Sequence, residues 1–416
     1  MKNIKYFECT LCHKKYDPNL NLLTCPNCKE LGILEIIFDY EAIKKEISKE
    51  YFKKNKNYNI WRYLPLLTVD KEYINDTLNV GWTPLYKSTN LSKRYNIHKL
   101  YIKDDGLNPT QSLKDRASVI ACVKAKELGL ETIACSSTGN AASSLAGNAA
   151  KMGLKTVIFV PERAPAGKLL QLKMYGANLI KVKGDYKATF RLSKEAIEHY
   201  GWYNRNAAIN PHLVEGKKTV ALEIAEQLDF KPTDWVIVSV GDGCTIGGVY
   251  KGFYDFYKLG LINHIPKIMG VQSEGCSPFY DAYINNRELE ETEENTIADS
   301  IAVGIPRNPI KGMNAVKKSN GTFIKVSDEA ILKAMKELAG LEGIFAEPAA
   351  AASIAGLIKA REENIIKETE SVSVIITGNG LKDQKNALKT IKNWIELEPN
   401  LKKLIEYISE GDNKHE

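Results

Sequence analysis

The stretch that decides the fold is Trp235-Val236-Ile237-Val238-Ser239-Val240-Gly241-Asp242-Gly243-Cys244-Thr245-Ile246-Gly247-Gly248. An apolar, largely β-branched run stops at a glycine turn, and helical text begins at Val249. Outward from it the same strand-turn-helix pattern recurs, led by Lys99–Ile102, Thr132–Cys135, Thr156–Val160, Leu179–Val182, Ile268–Val271 and Val372–Ile376. Strands separated by helix-length segments predict parallel sheets covered by helices on both faces. Such sheets bind ligands at the carboxyl ends of their strands. The spacing therefore predicts an α/β body over roughly 81–390, after a Pro/Gly turn signal at Gly81-Trp82-Thr83-Pro84. A Lys/Glu/Tyr-rich linker and helical region is expected over 39–80. Residues 391–416 read as a C-terminal tail, polar and frayed from 400.

Composition narrows the function. The 416 residues carry a net charge of only +6, with 44% hydrophobic and 26% charged residues. That is an ordinary globular balance without a basic patch or stripe, so no nucleic-acid partner is expected. No run approaches the roughly 18–20 apolar residues of a membrane span, and Glu8 interrupts the N-terminus before a signal-peptide core could form. Cys122, Cys135, Cys244 and Cys276 are scattered singly, as in a reducing compartment. A cytoplasmic location is expected.

Residues 1–38 form a separate small segment. Cys9-x2-Cys12 and Cys25-x2-Cys28 can place four thiolates around one Zn²⁺, and a unit with so little apolar mass needs such a staple. Two redox dithiols, or a ribbon that has lost its metal, remain open readings. Four thiolates would leave no open coordination position, so a bound Zn²⁺ would be structural.

Four turns carry chemistry. In Asn108-Pro109-Thr110-Gln111-Ser112-Leu113-Lys114-Asp115-Arg116, Ser112 and Asp115 read as a capping box. Lys114 then lies in a first helical turn, where the positive end of the helix lowers an amine's pKa, as a nucleophile or Schiff-base lysine requires. Ser136-Ser137-Thr138-Gly139-Asn140 offers hydroxyls and helix-start amides to a carboxylate. Gly241 to Thr245 can wrap a phosphate with backbone amides, and with no G-K-[ST] it is not a nucleotide-hydrolysing loop. Thr377-Gly378-Asn379-Gly380-Leu381-Lys382-Asp383 closes a strand with a hydroxyl that can meet a ring nitrogen. Together these parts are what a pyridoxal-phosphate site requires. His212 and His264 are expected to be structural, and Arg116 to fix its helix by ion pairing.

These motifs, with Glu347-Pro348-Ala349-Ala350-Ala351-Ala352, resemble the fold-type-II pyridoxal-phosphate enzymes over about 81–385, most closely the threonine synthase family. TGNGLKD is the piece most particular to that family, and the cysteine ribbon resembles one ahead of some of its members. The resemblance implies two doubly wound α/β domains with the cofactor in the cleft, the smaller domain (about 126–210) inserted in the larger. It implies that Lys114 carries the cofactor as a Schiff base, that Asn140 meets its phenolic oxygen, and that Gly241, Asp242, Gly243, Cys244 and Thr245 cradle its phosphate. Thr377 would meet the pyridine nitrogen, while Ser137, Thr138 and the backbone around Asn140 would take the substrate carboxylate.

The implied activity is that of a carbon-oxygen lyase acting on a phosphorylated amino acid. O-phospho-L-homoserine and water would give L-threonine and phosphate, and the alternatives are a threonine or serine dehydratase or an O-phosphoserine β-replacement enzyme of the same fold. A homodimer is expected by analogy. The chain departs from the family at Gln111 and Ala117, where glycines are common. It departs again at Ala208 and Leu213, where many threonine synthases place polar residues and an arginine that hold the substrate phosphate. Arg205 or Lys168 is the expected substitute.

Overall fold

The computed structural model describes residues 3–164, 166–184, 186–206, 208–391 and 395–412. Four N-terminal strands, β1 (Ile4–Cys9), β2 (Lys15–Tyr16), β3 (Thr24–Cys25) and β4 (Lys29–Phe38), pair antiparallel in the order β2-β1-β4-β3. The body then contributes β5 (Leu85–Lys87), β6 (Lys99–Asp104), β7 (Thr132–Ser136), β8 (Lys155–Pro161), β9 (Asn178–Val182) and β10 (Tyr203–Asn204). It ends with β11 (Trp235–Ser239), β12 (Lys267–Ser273), β13 (Thr322–Val326) and β14 (Ser371–Ile376). One parallel sheet runs β10-β7-β8-β9, and a larger sheet runs β13-β12-β11-β14-β6-β5, parallel except for the edge strand β5.

All seven strands expected from the apolar runs are present. The three unexpected ones have physical reasons. β5 and β10 are two or three residues long and carry no period, and β13 (Thr-Phe-Ile-Lys-Val) mixes polar with apolar positions at a sheet edge.

The cysteine segment has more apolar mass than expected. Phe7, Leu34, Ile36 and Phe38 are buried in the same core as Val220, Phe253 and Phe256. Each such side chain contributes on the order of 1.5–3 kcal/mol. Lys311 Nζ fastens the segment by donating to the Leu34 carbonyl at 2.7 Å. Residues 39–80 are equally docked. Ser48 caps the Lys49–Lys54 helix, and the buried Arg62 donates to Glu226 (Nε at 2.9 Å) and to the Asn57 carbonyl at 3.1 Å.

The tail differs from expectation. Residues Leu401–Asp412 form a helix, because Leu401, Leu404, Ile405 and Ile408 recur at helical spacing; all four are exposed. Among the described residues no helix is long and apolar enough to cross a membrane.

Candidate active site

The carboxyl ends of β6, β11 and β14 in the larger sheet and of β7 in the smaller one carry the four chemistry-bearing turns. After β6 the chain passes through the Asp105–Leu107 turn and reaches Gln111, whose φ of 67° is left-handed. A glycine would take that conformation without a Cβ clash. The Leu113 N–H donates to the Thr377 carbonyl at 2.9 Å, and Ser112 bridges to Gly378, so this turn is tied to the end of β14.

Lys114 opens the Lys114–Glu127 helix, but the expected capping box is absent. Leu113 is the cap residue and caps nothing with its side chain, and the buried Ser112 Oγ has no partner. Asp115 instead accepts from the Thr110 N–H at 2.7 Å, Thr110 Oγ1 at 2.8 Å and Asn148 Nδ2 at 2.7 Å. The carboxylate thereby pins its own loop to the Asn140–Lys151 helix. Arg116 behaves as expected, ion-pairing with Asp105 at 2.7 Å and with Glu223.

Lys114 is half-buried, and its ammonium has no hydrogen-bond or ion-pair partner among the described residues. Burial is the main cause holding its pKa below the usual lysine range; the cation of Arg205 adds to this, while Cys244, Asp242 and Glu347 oppose it. The expected direction is present, with burial as its leading cause.

Ser137 and Thr138 sit half-buried in the loop that follows β7. Ser137 Oγ accepts from the Gly139 N–H at 3.2 Å. Gly139 caps the Asn140–Lys151 helix without a side chain, which leaves helix-start amides open. Asn140 Nδ2 donates to Glu347 Oε1 at 2.8 Å, with Ser300 Oγ at 3.5 Å. Burial raises the Glu347 carboxyl above its ordinary range. A Cβ added at Gly378 would lie 2.3 Å from Glu347 Oε1, so the glycine beside Thr377 makes room for this carboxyl. Glu347 and Ser300 were not singled out as site residues in sequence. Only the motif position of Glu347, before Pro348, could have flagged it.

Gly241, Asp242 and Gly243 follow β11. Gly243 has φ of 86° and caps the Cys244–Lys258 helix, and a Cβ there would come within 2.5 Å of the Asn308 carbonyl oxygen. Close approach of Asn308 therefore requires the glycine. Asp242 is tied to the same segment: its carbonyl accepts from the Asn308 N–H at 3.0 Å. Gly243, the cap residue, makes no side-chain cap to this helix, whose positive N-terminal end favours an anion.

The expected phosphate readers divide. Leu213 is committed to the core around Ile120 and Ile133, while Ala208 packs with Val214 and Cys244. Arg205 is buried, and its Nε and Nη2 donate to Ser118 Oγ at 3.1 and 3.0 Å, with no carboxylate partner among the described residues. Asn206 accepts from the Ser136 N–H through Oδ1, while its buried Nδ2 has no partner. The side chain of Lys168 lies outside the described residues. Lys217, not expected from sequence, is 2% exposed beside these groups. His212 is buried against the Phe7 ring at 5.7 Å, and burial pushes its pKa down to about 3, so it is neutral and packed.

The Sγ atoms of Cys9, Cys12, Cys25 and Cys28 lie within 4.8 Å of one another, and those of Cys12 and Cys25 are 3.7 Å apart. A tetrahedron with bonds of about 2.3 Å has edges of about 3.8 Å. Gly32 permits the arrangement, since a Cβ there would lie 2.5 Å from Cys25 Cβ and 2.7 Å from Cys28 Cβ. The cluster can hold a metal ion.

Residues 77–378 match the family model described as pyridoxal-phosphate dependent enzyme, and the chain belongs to that family. The solved structures it resembles include maize serine racemase (TM-score 0.62, 22% identity, 80% of this chain and 93% of that one) and a processed tomato threonine deaminase (TM-score 0.66, 20% identity, 83% and 89%). These likenesses show the fold. The chain is 41% identical to the threonine synthase of Methanocaldococcus jannaschii over 94% of its length and 96% of the relative's. It is 38% identical to that of Methanosarcina acetivorans over 97% and 98%. Within the family, the chain belongs with the threonine synthases.

Three observations fit the cofactor that this family uses. An unpaired amine stands at Lys114, a glycine turn at Gly241–Gly243 leads into a helix N-terminus, and Asn140 is held by a buried acid.

Proposed function

We propose that the protein converts O-phospho-L-homoserine and water to L-threonine and phosphate. The observation that carries this reading is the unpaired Lys114 amine at the meeting of the β6, β11 and β14 ends, in a chain with threonine-synthase relatives along almost its whole length. Lys114 would carry the cofactor, Asn140 would meet its phenolic oxygen with Glu347 fixing the amide, and Thr377 would meet the ring nitrogen. Gly241, Asp242, Gly243, Cys244 and Thr245 would line its phosphate, and Ser137 and Thr138 would take the substrate carboxylate.

The cofactor, when bound, supplies the electron sink that lets the α C–H bond break. Lys114, its amine freed by substrate, takes the α proton and delivers protons to neighbouring carbons. A depressed pKa suits it to this work near neutral pH. The bond from the γ carbon to the phosphate oxygen breaks, water adds its oxygen to the β carbon, and threonine and phosphate leave. Holding the substrate by carboxylate and phosphate keeps one amine over several carbons.

A second reading, a dehydratase or O-phosphoserine β-replacement enzyme, is favoured by one observation: Leu213 is given to the core instead of to a phosphate. Phosphate release from O-phospho-L-homoserine by the holoenzyme, with the amino-acid product identified, decides. Threonine in equal amount supports the first reading. No release, with turnover of threonine, serine or O-phosphoserine, replaces it with the second.

The domain division at about 126–210 is supported by the separate β10-β7-β8-β9 sheet. The four clustered cysteines would bind structural Zn²⁺, tested by metal content and by the melting point after chelation. Since the segment shares the main core, chelation should lower the melting point of the whole body. A homodimer in a reducing cytoplasm completes the reading, the eight free thiols fitting that compartment.

A further inference from the structure

Lys217 and Lys218 are neighbours with opposite surroundings. Lys218 is buried against Glu215 and Asp255, the latter at 2.6 Å. Lys217 is just as inaccessible, yet its ammonium has no hydrogen-bond or ion-pair partner among the described residues. A buried ammonium without an anion is costly. Its stem lies on the Cys244–Lys258 helix, where a Cβ added to Gly248 would come within 3.2 Å of Lys217 Cβ.

Position explains what it could serve. Lys217 ends the His212–Lys217 helix and stands four residues after Leu213, so the two share a helical face one turn apart. Helical side chains lean toward the N-terminus, which carries the long lysine chain back over the turn of Leu213.

We propose that Lys217, backed by the buried and carboxylate-free Arg205, holds the phosphate of the phosphorylated amino-acid substrate. The inference rests on the proposed function and names the reader of its leaving group. Two further observations agree with it. The charged groups acting on Lys217 are Cys244, Lys114, Arg205 and Asp242, all from the candidate site. Burial holds its pKa at about 8, a cost that an arriving phosphate dianion relieves.

The test uses holoenzyme with Lys217→Met and Lys217→Arg. In the methionine variant KM for O-phospho-L-homoserine and the dissociation constant of a non-reacting phosphonate analogue should both rise about 10- to 100-fold, as for loss of a charged hydrogen bond. Cofactor absorbance and cofactor affinity should stay as in wild type, and Lys217→Arg should recover most of the loss. An unchanged KM in Lys217→Met, beside an active wild type, overturns the inference and leaves the function standing. Weakened cofactor binding with unchanged substrate KM also overturns it, moving Lys217 to the cofactor's phosphate. A wild type that turns over no O-phospho-L-homoserine sinks the function instead. Inorganic phosphate binding to wild type and Lys217→Met then decides the inference, which fails if the two bind equally.

Discussion

Two groups of buried cations sit a short way apart in this molecule and are treated in opposite ways. Behind the Lys114 turn, Arg116 and Lys103 share Glu223 and Asp105, with Lys103 Nζ 2.7 Å from Glu223 and Arg116 Nε 2.7 Å from Asp105. At the candidate site, Lys114, Arg205 and Lys217 have no carboxylate partner among the described residues. The first arrangement is closed: every charge has its opposite, and the network braces the helix that presents Lys114. The second is open, and burial depresses all three pKa values. A protein has no structural reason to withdraw three cations wholly or partly from water without anions, and a substrate and cofactor that bring phosphates and a carboxylate supply one.

The contrast can be broken in several places. The largest effect belongs to Lys114→Ala, which should lower turnover by about 10³-fold or more and abolish the cofactor's Schiff-base absorbance, read by steady-state kinetics and visible spectra. A variant that keeps both removes Lys114 from the chemistry. In the closed group, Glu223→Gln should cost about 3–5 kcal/mol in a denaturant titration, because it strands the buried Lys103 and leaves Arg116 with Asp105 alone.

The same residue gives a pH test. Arg116 and Lys103 outweigh burial and hold the Glu223 pKa near 2, below the usual 4.5. A depressed carboxyl contributes stability that is complete above its unfolded pKa and is lost as pH falls through the folded one. Wild-type stability should therefore decline between about pH 4.5 and pH 2, and Glu223→Gln should show a shallower decline. An identical slope in both proteins would mean Glu223 titrates normally. The smallest effect is expected at Gln111→Gly, which relieves a left-handed φ of 67° and should add about 1 kcal/mol to stability with little change in turnover.

Much of this was legible in sequence because it is local. Apolar runs ended by glycine turns marked the strand ends, and the four turns lie at those ends as expected. The capping box does not form: Ser112 and Asp115 have the right spacing, but Asp115 has better partners in Thr110 and in Asn148, 33 positions away. Glu347 meets Asn140 across 207 positions, and no local period announces that. The docking of the cysteine segment was hidden for the same reason, since Phe7 and Phe38 count as core only once Phe253 and Phe256 are packed beside them. Lys217 looked like any lysine on a helix until Lys218 took the available carboxylates.

That adjacent pair offers the most direct measurement: the melting temperatures of Lys217→Met and Lys218→Met without substrate. If open cations are kept for a ligand and closed ones for the fold, Lys218→Met melts below wild type, because it leaves Glu215 and Asp255 short of a cation. Lys217→Met then melts at or above wild type, because it removes a charge that nothing in the free protein balances. A fall of similar size in both variants would contradict the account, since Lys217 would then be as much a part of the scaffold as its neighbour.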